Sequence, residues 1–131
     1  MATAQSVSLS PEQVLMQLGT GHWAAMTVSV AVRLQLLEGL EHGQASAQQL
    51  SARHHYHADS VERLLRGCVT LGVRQEMEAG VFALTELGRV LLPSHPRSLR
   101  YAMVMLTDPG HWHIWYQLEH TVVTGQPAYQ K

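Results

Sequence analysis

Residues 46–84 read SAQQLSARHHYHADSVERLLRGCVTLGVRQEMEAGVFAL, and the order of signals within them decides the fold. Ser46 with Gln49 forms a capping box, which opens a short helix through Leu50 to Arg53. Asp59 with Glu62 opens a second helix, in which Val61, Leu64, Leu65, Cys68 and Val69 recur at helical spacing as a buried stripe, and Gly72 supplies the stop. Val73 to Met77 and Val81 to Leu84 then read as two strands, joined through Glu78-Ala79-Gly80, where the glycine can take a positive φ. Helix, helix, hairpin is the order of a winged helix.

Working outward toward the N-terminus, residues 1–9 are small and polar and are expected to form a disordered tail. Ser10-Pro11-Glu12-Gln13 starts a short helix carrying Val14, Leu15 and Leu18, and Gly19 to Gly21 reads as a flexible break. A longer helix is predicted next, with Trp23, Met26, Thr27, Val30, Ala31, Leu34 and Leu37 along one stripe and Gly39 as its end. Its other side holds Ala24, Ala25, Val28 and Val32, and a helix apolar nearly all round has to be covered on several sides.

Toward the C-terminus, Thr85 caps a helix that ends before Pro93, and Ser94-His95-Pro96 is a connector. One helix is predicted from Ser98 to Leu106. Another starts at Asp108-Pro109 and runs to Thr124, with Trp112, Trp115, Tyr116, Glu119 and Val123 on its broad face. The expected fold is mainly α, a winged-helix-like domain of helices plus one β-hairpin, with extra N- and C-terminal helices forming an intertwined dimer.

The chain has 131 residues, 46% of them apolar and 15% charged, with nine Lys and Arg against ten Asp and Glu. This is the length and composition of one folded domain, and its near-neutral charge sets up no field to attract nucleic acid. A single cysteine cannot form an internal disulfide, and the start lacks the pattern of a signal peptide, so a cytoplasmic location is expected. No apolar stretch approaches the roughly 20 residues of a membrane span.

Candidate chemistry is sparse. Gly19-Thr20-Gly21-His22-Trp23-Ala24 matches a dinucleotide fingerprint, but helical periodicity rather than a strand precedes it, so the pattern lacks the geometry that makes it work. His54, His55 and His57 cluster, as do His111, His113 and His120, without the spacing of a metal site, and no metal is expected. Cys68 lies on an apolar stripe and reads as a small hydrophobe. A winged helix invites DNA binding through Arg63 and Arg66, yet Asp59 and Glu62 offset these charges and the hairpin tip Glu76-Met77-Glu78 is acidic, which disfavours a nucleic-acid partner.

Several blocks together carry a resemblance. They are Ala45 to Leu50, Ser60-Val61-Glu62-Arg63-Leu64-Leu65-Arg66, Leu71-Gly72-Val73, Val81 to Gly88, Ser98-Leu99-Arg100, Leu106 to Trp115, and Thr124 to Tyr129. In this order and spacing, from Gln13 to Tyr129, the sequence resembles the N-terminal dimerisation domain of small-molecule O-methyltransferases that use S-adenosylmethionine (SAM), the bacterial natural-product and plant-type family.

The resemblance implies a winged-helix-like dimerisation domain over residues 10–95 and linker helices over 96–131 that would lead to a catalytic domain absent here. It implies SAM only for the full-length family enzyme, so no cofactor, catalytic residue or activity is expected of this chain alone. A homodimer through the helices around Trp23–Leu37 and Trp112–Val123 is expected. Trp23, Met103, Met105, Trp112, Trp115 and Tyr116 become candidates for lining a substrate pocket, against the plainer reading that they pack a core or a dimer seam. The alternative function is a stand-alone binding protein for a small apolar or aromatic ligand, with haem or metal as a variant should His111, His113 or His120 face that space. A DNA-binding regulator is the third reading.

Overall fold

A computed structural model of the chain describes residues 9–130, so all but the last residue of the expected 1–9 tail lies outside the described residues. Helix α1 spans Pro11–Arg33, started by the reciprocal Ser10–Gln13 capping box with Pro11 in the first turn. It runs unbroken through Gly19 and Gly21, which corrects the expected break. Neither glycine has a positive φ, and a glycine weakens a helix by about 1 kcal/mol without ending it. The helix ends at Arg33, earlier than expected: Gln35 takes a left-handed φ of 56°, Leu36 N–H donates to Ala31 O, and Gln35 N–H donates to Val32 O. That is a Schellman stop with glutamine in the glycine position. Gly39 instead sits in a single 3₁₀ turn, Glu38–Leu40.

Strand β1 (Gln44–Ser46) leads into α2 (Ala47–His54), opened by the predicted Ser46–Gln49 box. Helix α3 (Ala58–Thr70) is capped by the His57 ring, which accepts from Ser60 N–H, rather than by Asp59. It buries Val61, Leu65 and Cys68 and closes at Gly72 (φ 74°). Strands β2 (Arg74–Glu78) and β3 (Val81–Leu84) form the hairpin, and β1 adds to its free edge in the antiparallel order β1-β3-β2. Ala45 and Glu76 both face Phe82 in the register, and the pairing slips between Glu76 and Glu78, leaving an exposed Met77 at a bulge.

Phe82, Leu65, Leu50, Leu40, Leu36 and Val32 are fully buried and form the centre of one core. Arg74 is buried beside them: its Nη2 donates to Leu36 O at 2.6 Å while Nε and Nη1 meet no acceptor among the described residues. Burial pushes its pKa down to about 10, against the opposing pull of Cys68 and Glu38.

Thr85 caps the short α4 (Glu86–Arg89). Helix α5 (Arg100–Leu106) packs on α1, and Asp108 caps α6 (Pro109–Tyr116). The single long C-terminal helix expected to reach Thr124 is two helices, because Gln117 tightens into a turn (N–H to Ile114 O, 3.1 Å) before α7 (Leu118–Thr124).

Candidate functional site

The nominated aromatic residues of α6 gather around one residue that sequence reasoning did not nominate, His22 of α1. Trp112, Trp115, Tyr116 and His22 line an open recess of about 320 Å³. The His22 ring meets Trp112 edge-on at 6.0 Å between centroids and Trp23 at 5.8 Å. Its Nδ1 lies 3.1 Å from Gly19 O. A carbonyl only accepts, so Nδ1 is the donor in this contact. Both indoles are oriented by their own N–H groups: Trp112 Nε1 donates to Leu106 O (2.9 Å), and Trp115 Nε1 donates to His111 Nε2 (3.1 Å). The recess is therefore walled by three aromatic side chains and one imidazole.

The other nominated residues lie elsewhere. Trp23 is 64% exposed and, although its ring meets His22, does not line the recess. Met103 lines an apolar hollow of about 300 Å³ with Ala24, Ala25, Val28, Leu87 and Leu99. Met105 lies in a groove with Tyr101, Asp108, His111 and Ile114. The six nominated side chains thus occupy four separate places, and only the three α6 aromatics share one.

A clamp built on the buried Ser29 and Thr107 and the exposed Arg33 ties the α5–α6 corner to α1. Arg33 Nη2 donates to Thr107 O (2.8 Å) and Thr107 Oγ1 (2.9 Å), while the buried Ser29 hydroxyl pairs with the same Oγ1. Arg33 thus places a cation at the α5 C-terminus, where the unpaired carbonyls favour one. Leu106, which holds the Trp112 indole, immediately precedes Thr107.

Other chemistry finds no support in the geometry. Among the described residues no three His, Cys, Asp or Glu side chains converge as metal ligands. Burial raises the Cys68 thiol, with Arg74 nearby pulling the other way, so it stays protonated. Arg66, a cation the DNA reading relied on, is engaged by Glu62 (2.8 Å) and by Glu76 of the hairpin (3.5 Å). These residues also do not fit SAM. The amides of the Gly19-to-Ala24 motif sit inside α1 rather than in a loop after a strand, and the described sheet is antiparallel. Among the described residues no helix is long and apolar enough to cross a membrane.

The most extensive feature is uncovered apolar surface. Leu15, Met16 and Leu18 in the first half of α1 are 65–73% exposed, and Tyr101, Trp115, Tyr116, Val122 and Val123 of α5–α7 are 62–80% exposed. Within the stretch around Trp23–Leu37, by contrast, Ala31, Val32, Leu36 and Leu37 are already buried by this chain's own core. The open face of α1 is therefore displaced toward the N-terminus from where the sequence put it.

Comparisons with known proteins bear on this surface. A family model described as an O-methyltransferase dimerisation domain matches residues 16–94. The phenazine O-methyltransferase PhzM of Lysobacter antibioticus is 30% identical over 128 residues, covering 98% of this chain and 37% of that protein. The mitomycin biosynthesis 6-O-methyltransferase of Streptomyces lavendulae is 32% identical over 119 residues, covering 90% of this chain and 34% of that protein. The crystal structure of LaPhzM superposes with a TM-score of 0.86 at 27% identity, over 93% of this chain and 36% of that one. The chain spans little more than a third of the length of these relatives. A winged-helix-like fold with uncovered terminal helices, matched along nearly its whole length by bacterial natural-product O-methyltransferases, leads to one assignment: the chain belongs to the O-methyltransferase dimerisation-domain family.

Proposed function

We propose that this chain is the dimerisation and substrate-cap module of a SAM-dependent O-methyltransferase and is not catalytic by itself. The observation that carries the reading is the pair of uncovered apolar surfaces, on the first half of α1 and on α5–α7, which a second copy would bury. Residues 10–95 are the dimerising unit, and 96–131 are linker helices toward a catalytic domain that binds SAM. In this role the His22, Trp112, Trp115 and Tyr116 recess forms part of the wall over a planar aromatic substrate, whose ring stacks on the indoles.

Light scattering or sedimentation of the 131-residue chain at micromolar concentration is expected to give twice the monomer mass; a monomer overturns the dimer. Titration with a hydroxylated phenazine is expected to quench Trp fluorescence in the parent chain and less in Trp112→Leu. No quenching in the dimeric parent overturns the cap.

A further inference from the structure

The two indoles that wall the aromatic recess are held by acceptors of different chemistry. Trp112 Nε1 donates to Leu106 O, a backbone carbonyl that does not titrate. Trp115 Nε1 donates to His111 Nε2 at 3.1 Å, one turn earlier on α6, with the two rings tilted at 58° and 6.5 Å apart between centroids. Residues four apart share a helix face, so this contact is built into α6 itself. An indole N–H only donates, so His111 Nε2 is the acceptor and carries no proton in this contact.

His111 is half-buried and does not line the recess. It lines the neighbouring groove with Tyr101, Met105, Asp108 and Ile114, so it acts on a ligand in the recess through Trp115. Few titratable groups face it. Tyr101 comes from α5, and Asp108, the cap of α6, shares the groove with its Oδ1 already accepting Gly110 N–H at 2.8 Å. The titratable ring that α1 contributes, His22, lines the recess itself and meets Trp112.

We propose that His111 is a positioning residue for the recess, holding the Trp115 indole in place while its own ring is neutral and releasing it when that ring is protonated. This rests on the substrate-cap reading above and adds how one wall of the cap is held. A proton on Nε2 turns the acceptor into a second donor facing the indole N–H, and the bond is lost. Trp115 is 62% exposed, so burial does not replace the lost bond. The freed side chain then has to be ordered again when a planar ligand docks, which weakens binding about threefold to tenfold. Trp112 keeps its carbonyl acceptor, so the acid form retains one ordered indole wall of the two.

The test is equilibrium dialysis of the full 131-residue chain against phenazine, a planar probe that stays uncharged, at about pH 8 and about pH 5.5, on either side of the ordinary imidazole range. The parent is expected to bind about threefold to tenfold more weakly in acid. His111→Gln offers an amide oxygen in place of the ring nitrogen and cannot titrate, so its affinity is expected to be the same at both pH values. His22→Gln removes the other titrating ring at the recess and is expected to keep the parent's acid loss. In proton–nitrogen NMR spectra the Trp115 indole resonance, identified by its absence in Trp115→Phe, is expected to move between the two pH values in the parent and to stay in His111→Gln. An acid loss that persists in His111→Gln or vanishes in His22→Gln, or a parent affinity that does not change with pH, overturns the role of His111 and leaves the cap reading standing. A parent that binds no phenazine at either pH overturns both.

Discussion

Replacing Thr107 by valine keeps the shape of the side chain and removes the oxygen on which the α1–α5 clamp converges. Thr107 is 3% exposed, and its Oγ1 accepts from Arg33 at 2.9 Å and pairs with the Ser29 hydroxyl, which is fully buried. In Thr107→Val the Arg33 guanidinium keeps the Thr107 backbone carbonyl at 2.8 Å, but Ser29 is stranded away from water. A stranded buried hydroxyl costs about 1–3 kcal/mol. Near 2 kcal/mol, a domain of this size loses about 6–10 °C of melting temperature. Ser29→Ala removes the stranded group, so the double variant is expected to lose less than the sum of the singles by about 1 kcal/mol. Thermal and urea unfolding followed by circular dichroism, at one fixed protein concentration, read the cycle. Because Leu106 holds the Trp112 indole next to the clamp, Trp emission is expected to shift in Thr107→Val even below the transition. A valine variant that melts within 1 °C of the parent, with additive singles, would refute the clamp.

Gly88→Ala drives a Cβ to 2.1 Å from Val73 O, the carbonyl that accepts the Thr85 N–H, and is expected to lose about 3 kcal/mol in urea melts. Gly43→Ala, with open space around it, changes stability by no more than about 0.5 kcal/mol in the same assay. Arg74→Met exchanges a buried cation with two unpaired donor nitrogens for an apolar chain and is expected to keep or raise the urea midpoint, whereas Arg74→Ala lowers it by about 3 kcal/mol. The Cys68 thiol is held above its ordinary value of 9.0 by burial, so iodoacetamide at pH 8 is expected to label the folded chain roughly 100-fold more slowly than the urea-unfolded one. The sign for stability follows: the contribution of the protonated thiol is present below pH 9 and is lost as pH rises toward the folded value, where the unfolded thiol has already ionised.

What the sequence made legible is what neighbouring residues decide among themselves. The Ser10–Gln13 and Ser46–Gln49 boxes formed as read, since each needs only two side chains three residues apart. Gly72 and Gly80 took the positive φ expected of them. The errors fell where a local signal was overridden. Gly19 and Gly21 read as punctuation, but a well-capped helix packed at its far end runs through them. Gln35 took the left-handed turn that Gly39 was expected to supply, because the buried Leu36 and Leu37 have to swing into the core there. Strand β1 is three residues long and has no period of its own; it exists because β3 offers it a free edge.

The candidate site shows the same division. The steps of three and four among Trp112, Trp115 and Tyr116 put these rings on one face from sequence alone, whereas His22 enters from 90 positions away by way of the α1–α5 packing.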